Sequence, residues 1–89
     1  MRKVTLSAQF EKDVKRAKRR NCDMNKLGEV IRLLGQGDLT DRQYLDHPLK
    51  GKYKDLRECR ISPDWLLIYH SSQEEIILVR TGTHTDLFR

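Results

Sequence analysis

Trp65-Leu66-Leu67-Ile68-Tyr69-His70-Ser71-Ser72-Gln73-Glu74-Glu75-Ile76-Ile77-Leu78-Val79-Arg80 is the stretch whose reading decides the fold. Its first five residues are almost wholly apolar and aromatic or branched, the pattern of a central strand covered on both faces. Ser71-Ser72-Gln73 turns the chain, and Glu75 to Arg80 predicts the next strand, closed by Gly82. Upstream, Ser62-Pro63-Asp64 forms another turn. Between Arg57 and Ile61 polar and apolar residues alternate, so Cys59 and Ile61 share one face while Glu58 and Arg60 share the other, aimed away from the core.

The N-terminal half has a different period. Lys3-Val4-Thr5-Leu6 is a short β-type opening, and Ser7 is an N-cap for a helix running to about Arg20. Phe10, Val14 and Ala17 mark its buried stripe, and the surface carries Lys12, Lys15, Arg16, Lys18, Arg19 and Arg20, partly offset by Glu11 and Asp13. Asn21-Cys22-Asp23 breaks that run. Asp23 caps a second helix from Met24 to Leu34, ended by Gly35 and Gly37. Asp38 to Asp46 reads as polar linker. At the far end, Thr83-His84-Thr85-Asp86 has capping-box spacing with Asp in place of Glu, so Thr83 starts a last short helix with His84 at its first position.

Strand, helix, helix, then three or four strands describe an α+β fold. Two N-terminal helices pack on one face of a mostly antiparallel four- to five-stranded sheet, with a short C-terminal helix. At 89 residues the expectation is a single domain, 1–89. The formal charge is +5, unevenly placed: residues 1–32 hold ten Lys/Arg against four Asp/Glu, and residues 33–89 hold eight against nine. A basic helix fits a polyanion, either nucleic acid or an acidic protein segment. Cys22 and Cys59 lack metal-site spacing and read as free thiols, with no metal and no cofactor expected. No apolar run approaches the length that spans a bilayer, and a cytoplasmic setting without membrane association is the expectation.

A ribonuclease that works without a metal needs a base for the 2′-hydroxyl, a cation for the phosphate and an acid for the departing 5′ oxygen. His47, Glu58, Asp64 and His84 are the candidate proton carriers; Lys50, Lys52, Arg60 and Arg80 are the candidate cations. Each has a plainer reading. His47 beside Pro48 is as readily a packed loop residue, Asp64 a turn cap, and Glu58 with Arg60 a solvated strand face. His84 carries more weight, because a charged imidazole is electrostatically awkward at a helix start. His70, closing an apolar strand, is better read as structural, and Trp65 as core or wall. Phe88, near the chain end with little core to join, is a candidate for stacking on a base.

The segments Phe10-Glu11-Lys12-Asp13-Val14-Lys15, Asp46-His47-Pro48-Leu49, Pro63-Asp64-Trp65 and Arg80-Thr81-Gly82-Thr83-His84 together resemble the RelE superfamily of bacterial toxins, most closely the YafQ type. The resemblance covers nearly the whole chain. It implies a compact α+β fold and metal-independent mRNA cleavage in the A site of the 70S ribosome. It also implies a cognate antitoxin that masks the site, with operator DNA bound only through the toxin–antitoxin complex. By the same resemblance the functional positions fall on His47, Glu58, Asp64, His84 and Phe88. One departure stands out: where YafQ-type toxins commonly carry a further histidine, this chain has Arg60, which can hold phosphate but not shuttle a proton at neutral pH. Two rival readings remain at this level: a ParE-like toxin acting on gyrase, and a small basic nucleic-acid- or ribosome-binding protein without catalysis.

Overall fold

A computed structural model describes residues 1–88. It contains β1 (Lys3–Leu6), α1 (Ala8–Arg19), α2 (Met24–Gln36), β2 (His47–Pro48), β3 (Arg57–Ser62), β4 (Trp65–Ser71), β5 (Glu75–Gly82) and α3 (His84–Phe88). The five strands form one sheet in the order β1-β5-β4-β3-β2. β1 runs parallel to β5 and the other pairings are antiparallel, which bears out the α+β reading.

The caps fall where the short-range spacing puts them. Ser7 accepts from the Phe10 N–H at 2.9 Å and Asp23 from the Asn25 N–H at 2.9 Å, each cap stabilising its helix by about 1 kcal/mol. Thr83 and Asp86 form a reciprocal box: the Asp86 N–H donates to Thr83 Oγ1 at 3.1 Å, and the Thr83 N–H donates to Asp86 Oδ2 at 2.9 Å. Gly82 makes this junction possible. A Cβ there would lie 2.9 Å from Arg16 Nη2 and 3.0 Å from Asp86 Cβ.

α1 and α2 cover one face of the sheet, where Phe10, Ala17, Leu27, Val30 and Leu34 meet Cys59, Ile61, Leu67, Tyr69, Ile76 and Leu78 in the main core. Trp65 belongs to that core, as expected. Both cysteines are free, and burial pushes the Cys59 thiol well above its ordinary pKa. Ile68 and Leu87 are buried but lie outside this cluster, so the opposite face has its own small apolar floor.

Three expectations need correction. The Asp38–Asp46 stretch is not plain linker: Leu39 is buried, Arg42–Tyr44 forms a 3₁₀ turn capped by Asp41, and Tyr44 packs on the core. Its apolar residues are too few and too widely spaced to show a period. Asp13 is not an exposed counter-charge on α1 but is 2% accessible, and Val14 is only half-buried. The register also slips in β5, where Ile68 pairs with Arg80 and Tyr69 with Leu78, leaving Val79 as an inserted residue. Such a bulge re-aims the neighbouring side chain.

Candidate active site

One rank of residues crosses the sheet: His47 pairs with Glu58, Glu58 with Ile68, and Ile68 with Arg80. Partners in a ladder direct their Cβ atoms to the same face, so these four residues start from the face away from α1 and α2, while the Arg80 guanidinium reaches back to Asp13 on α1. Ile68, 2% accessible, forms the floor between Glu58 and Arg80. With strands about 4.8 Å apart, those two Cα atoms lie about 10 Å from each other. Arg60, paired with Leu66, occupies the next rank of the same face.

β2 is only two residues long, and three contacts fix it. Asp46 Oδ1 accepts from Tyr69 Oη at 2.7 Å and from Arg57 Nε at 3.2 Å, tying the entry of β2 to the buried strands. Burial and then the hydrogen bond to Asp46 push the Tyr69 hydroxyl far above its ordinary pKa, so it remains a donor. Leu45 takes a left-handed conformation, φ 47°, a strained turn for a branched side chain. That turn directs the Leu45 carbonyl to His47, whose Nδ1–H donates to it at 2.6 Å. Nε2 is therefore the free ring nitrogen, and it lies 3.4 Å from Glu58 Oε1. The imidazole is half-exposed, and the carboxylate is 8% accessible.

His84 is exposed at the start of α3, its ring centroid 5.0 Å from that of Phe88. Phe88 in turn meets Tyr53 edge-on at 6.0 Å. Tyr53 stands in the 3₁₀ turn Gly51–Tyr53 that follows β2, so an aromatic bridge joins the loop after His47 to the helix bearing His84. Lys52 Nζ lies 5.2 Å above the Tyr53 ring, and Lys50 is exposed at the start of the same turn. Phe88 is half-buried in this bridge rather than free, and sequence reasoning gave Tyr53 no part in it. Asp64 stands apart from His47, exposed at the tip of the β3–β4 hairpin, where it borders a small cleft with Gly82 and Thr83. His70, at the other end of β4, joins neither group.

Arg80 is the most constrained cation. Its Nε and Nη2 each donate to the Asp13 carboxylate at 3.0 Å, a bidentate pair. Asp13 also accepts from the Thr81 N–H at 3.2 Å, Gln9 Nε2 at 3.2 Å and Arg16 Nη2 at 3.2 Å. Burial pushes the Asp13 carboxyl up, but the hydrogen bonds from Arg80, Thr81 and Gln9 and the charge on Arg80 outweigh it and hold the group below its ordinary value. Nothing local in the sequence marks Asp13 as a partner of a residue 67 positions away.

Among the described residues no cluster of His, Cys, Asp and Glu is arranged to hold a metal ion, and no helix is long and apolar enough to cross a membrane. The family profile described as a bacterial toxin of type II toxin-antitoxin system, YafQ, matches residues 2–89. The chain belongs to that family. It is 43% identical over 88 residues to the mRNA interferase toxin YafQ of Escherichia coli strain K12, covering 98% of this chain and 96% of the relative. It superposes on the crystal structure of YafQ from E. coli strain BL21(DE3) with a TM-score of 0.94 and 41% identity over 100% of both chains. On the E. coli DinJ-YafQ toxin-antitoxin complex the TM-score is 0.90, with 42% identity, 99% of this chain and 98% of that one covered. The resemblance read from the short motifs is borne out.

Glu58 is the carboxylate that faces His47 Nε2. Glu58→Gln is expected to lower cleavage by about 10²-fold, chiefly in kcat, because the charge facing His47 Nε2 is lost while the protein's candidate phosphate-holding cations remain. The thermal midpoint is not expected to fall, since a buried carboxylate with a single partner contributes little to stability. Single-turnover cleavage alongside thermal melts checks both.

Proposed function

We propose that this protein is an endoribonuclease toxin that cuts mRNA in the ribosomal A site and is neutralised by a cognate antitoxin covering the same face. The observation that supports the reading is the His47–Glu58–Ile68–Arg80 rank, in which a candidate proton carrier, its facing carboxylate and an arginine follow one another across the sheet. Membership in a family of mRNA interferase toxins supports the reaction class. The relative's complex with DinJ supports an antitoxin partner.

In the proposed reaction His47 Nε2 takes the proton from a 2′-hydroxyl, and the 2′-oxygen attacks the adjacent phosphorus. With Nδ1–H committed to the Leu45 carbonyl, Nε2 is the nitrogen available, and Glu58 stabilises the imidazolium that forms. The bond from phosphorus to the 5′ oxygen breaks, and His84 donates the proton that this oxygen needs to leave. Arg80 and Arg60 hold the charge developing on the non-bridging oxygens, with Lys50 and Lys52 on the flanking loop. Asp64, on the His84 side of the face, is a second proton carrier. Phe88 and Tyr53 offer ring faces for a base beside the scissile bond. The products are a 2′,3′-cyclic phosphate and a 5′-hydroxyl.

The test is to map new 5′ ends in a translation reaction with this protein. Cuts at A-site codons with 5′-hydroxyl ends are expected. Intact mRNA in that reaction, or cutting that proceeds equally without ribosomes, overturns the reading.

A further inference from the structure

Beside the proposed catalytic face lies a groove of about 390 Å³, lined by Lys26 from α2, Arg42 from the 3₁₀ turn and Arg60 from β3, with Gln43, Leu45 and Ser62 among its other walls. Among the described residues no carboxylate lines it. Elsewhere six guanidinium groups are neutralised: Arg2 by Asp38, Arg16 and Arg20 by Asp86, Arg32 by Glu29, Arg57 by Asp46 and Arg80 by Asp13. Lys26, Arg42 and Arg60 make no ion pair among the described residues, as Arg19 and the surface lysines do not, but these three converge on one groove. The acidic side chains nearest in sequence are committed elsewhere. Asp23 accepts from the Asn25 N–H, and Asp41 from the Gln43 N–H and side-chain amide.

The groove is continuous with the proposed site. Arg60 stands two residues beyond Glu58 on the same face of β3, about 7 Å along the strand. β2 pairs only with Arg57 and Glu58, so from Cys59 onward no strand covers the outer edge of β3. Three unneutralised cations converging on a concave surface concentrate anions there, and Arg forks match phosphate oxygens. Leu45, 52% accessible, adds an apolar rim against which a base can rest.

We propose that this groove is a subsite for a backbone phosphate of the RNA strand, next to the scissile bond on the β2–β3 side, held by Lys26, Arg42 and Arg60. The proposal rests on the endoribonuclease reading for the identity of the strand. The subsite gives the chain a grip on its substrate outside the reacting atoms. Arg60, at the boundary between the two, faces both this phosphate and the scissile one.

The test uses a 2′-O-methylated single-stranded RNA oligonucleotide, which binds but cannot be cut, followed by fluorescence anisotropy across about 50–200 mM salt. Lys26→Ala combined with Arg42→Ala removes two exposed cations and is expected to weaken binding at least tenfold at low salt. The slope of log affinity against log salt should fall by about 1.4, at about 0.7 per lost contact on a single strand. Lys12→Ala combined with Lys15→Ala removes the same charge from the exposed side of α1 and is expected to change the affinity less than threefold. Unchanged affinity in the groove variant, an equal loss in the α1 variant, or no binding by the unaltered protein at low salt overturns the subsite. The two proposals fail separately. An unaltered protein that binds the oligonucleotide through the groove but leaves translated mRNA intact keeps the subsite and loses the nuclease; one that cuts while the groove variant binds normally loses only the subsite.

Discussion

Replacing His84 with alanine is expected to slow mRNA cleavage by about 10²–10⁴-fold while leaving the thermal midpoint unchanged, the usual scale for a lost general acid or base. The fold should tolerate the change because His84 is exposed and contributes no cap: the box at the start of α3 is made by Thr83 and Asp86. What the ring does touch is Phe88, at 5.0 Å between centroids. His84→Gln and His84→Phe therefore separate chemistry from contact. If His84 gives the proton to the 5′ oxygen, neither variant recovers the rate, although phenylalanine preserves the stacking. The pH profile supplies the second readout. A general acid must be protonated to act, so its titration sets the alkaline limb of the rate. His84→Ala should flatten that limb and keep the acid limb, which belongs to the base. A folded His84→Ala protein that cuts at the unaltered rate, or that loses the acid limb instead, removes the assigned role.

Local and distant interactions differ in how far the sequence exposes them. The caps at Ser7, Asp23 and Thr83 depend on spacings of two or three residues, so their geometry can be read directly from the chain. The strands around Leu67 and Leu78 follow from composition, and the shared face of Glu58 and Arg60 from a period of two. The partner of Glu58 does not follow from either. β2 is two residues long and exposed, with no period to detect, and its register against Glu58 depends on Asp46 reaching Tyr69 and Arg57 across the fold. Tyr53 was equally hidden, because its place beside Phe88 depends on a loop crossing to a helix 35 residues further on. The clearest misreading is Asp13. Helical periodicity put it among charged neighbours on an amphipathic helix, and only the bulge at Val79 and the path of β5 bring Arg80 to it. Polar residues that serve a site through a distant partner look, in sequence, like ordinary surface charge.

For that reason the Asp13–Arg80 pair carries the second large expected effect. Asp13→Asn should destabilise the protein by about 2–3 kcal/mol, somewhat less than the 3–5 kcal/mol of a fully buried broken pair, because the Arg80 side chain is 31% accessible and water recovers part of its solvation. The asparagine oxygen can still accept from the Thr81 N–H, but its amide then faces the Arg80 guanidinium with no charge to offset it, while Arg16 keeps Asp86. The pH dependence follows from the direction of the shift. Asp13 titrates lower when folded than when unfolded, so its contribution is fully present above the unfolded value of about 4 and is lost as pH falls through the folded value. Asp86, held far below the usual carboxylate range by its hydrogen bonds from Arg20 and from the Thr83 N–H, adds to the same acid limb. Melts between neutral pH and about pH 2 should therefore show a shallower acid loss in Asp13→Asn than in the unaltered protein. A double variant then separates stability from function. Asp13→Asn with Arg80→Met leaves no unpaired charge and should recover much of the lost stability, yet it should cut mRNA no faster than Asp13→Asn alone, because the guanidinium proposed to hold the phosphate is gone. Recovery of cleavage along with stability would assign Arg80 a purely structural role and leave Arg60 and the lysines to hold the phosphate.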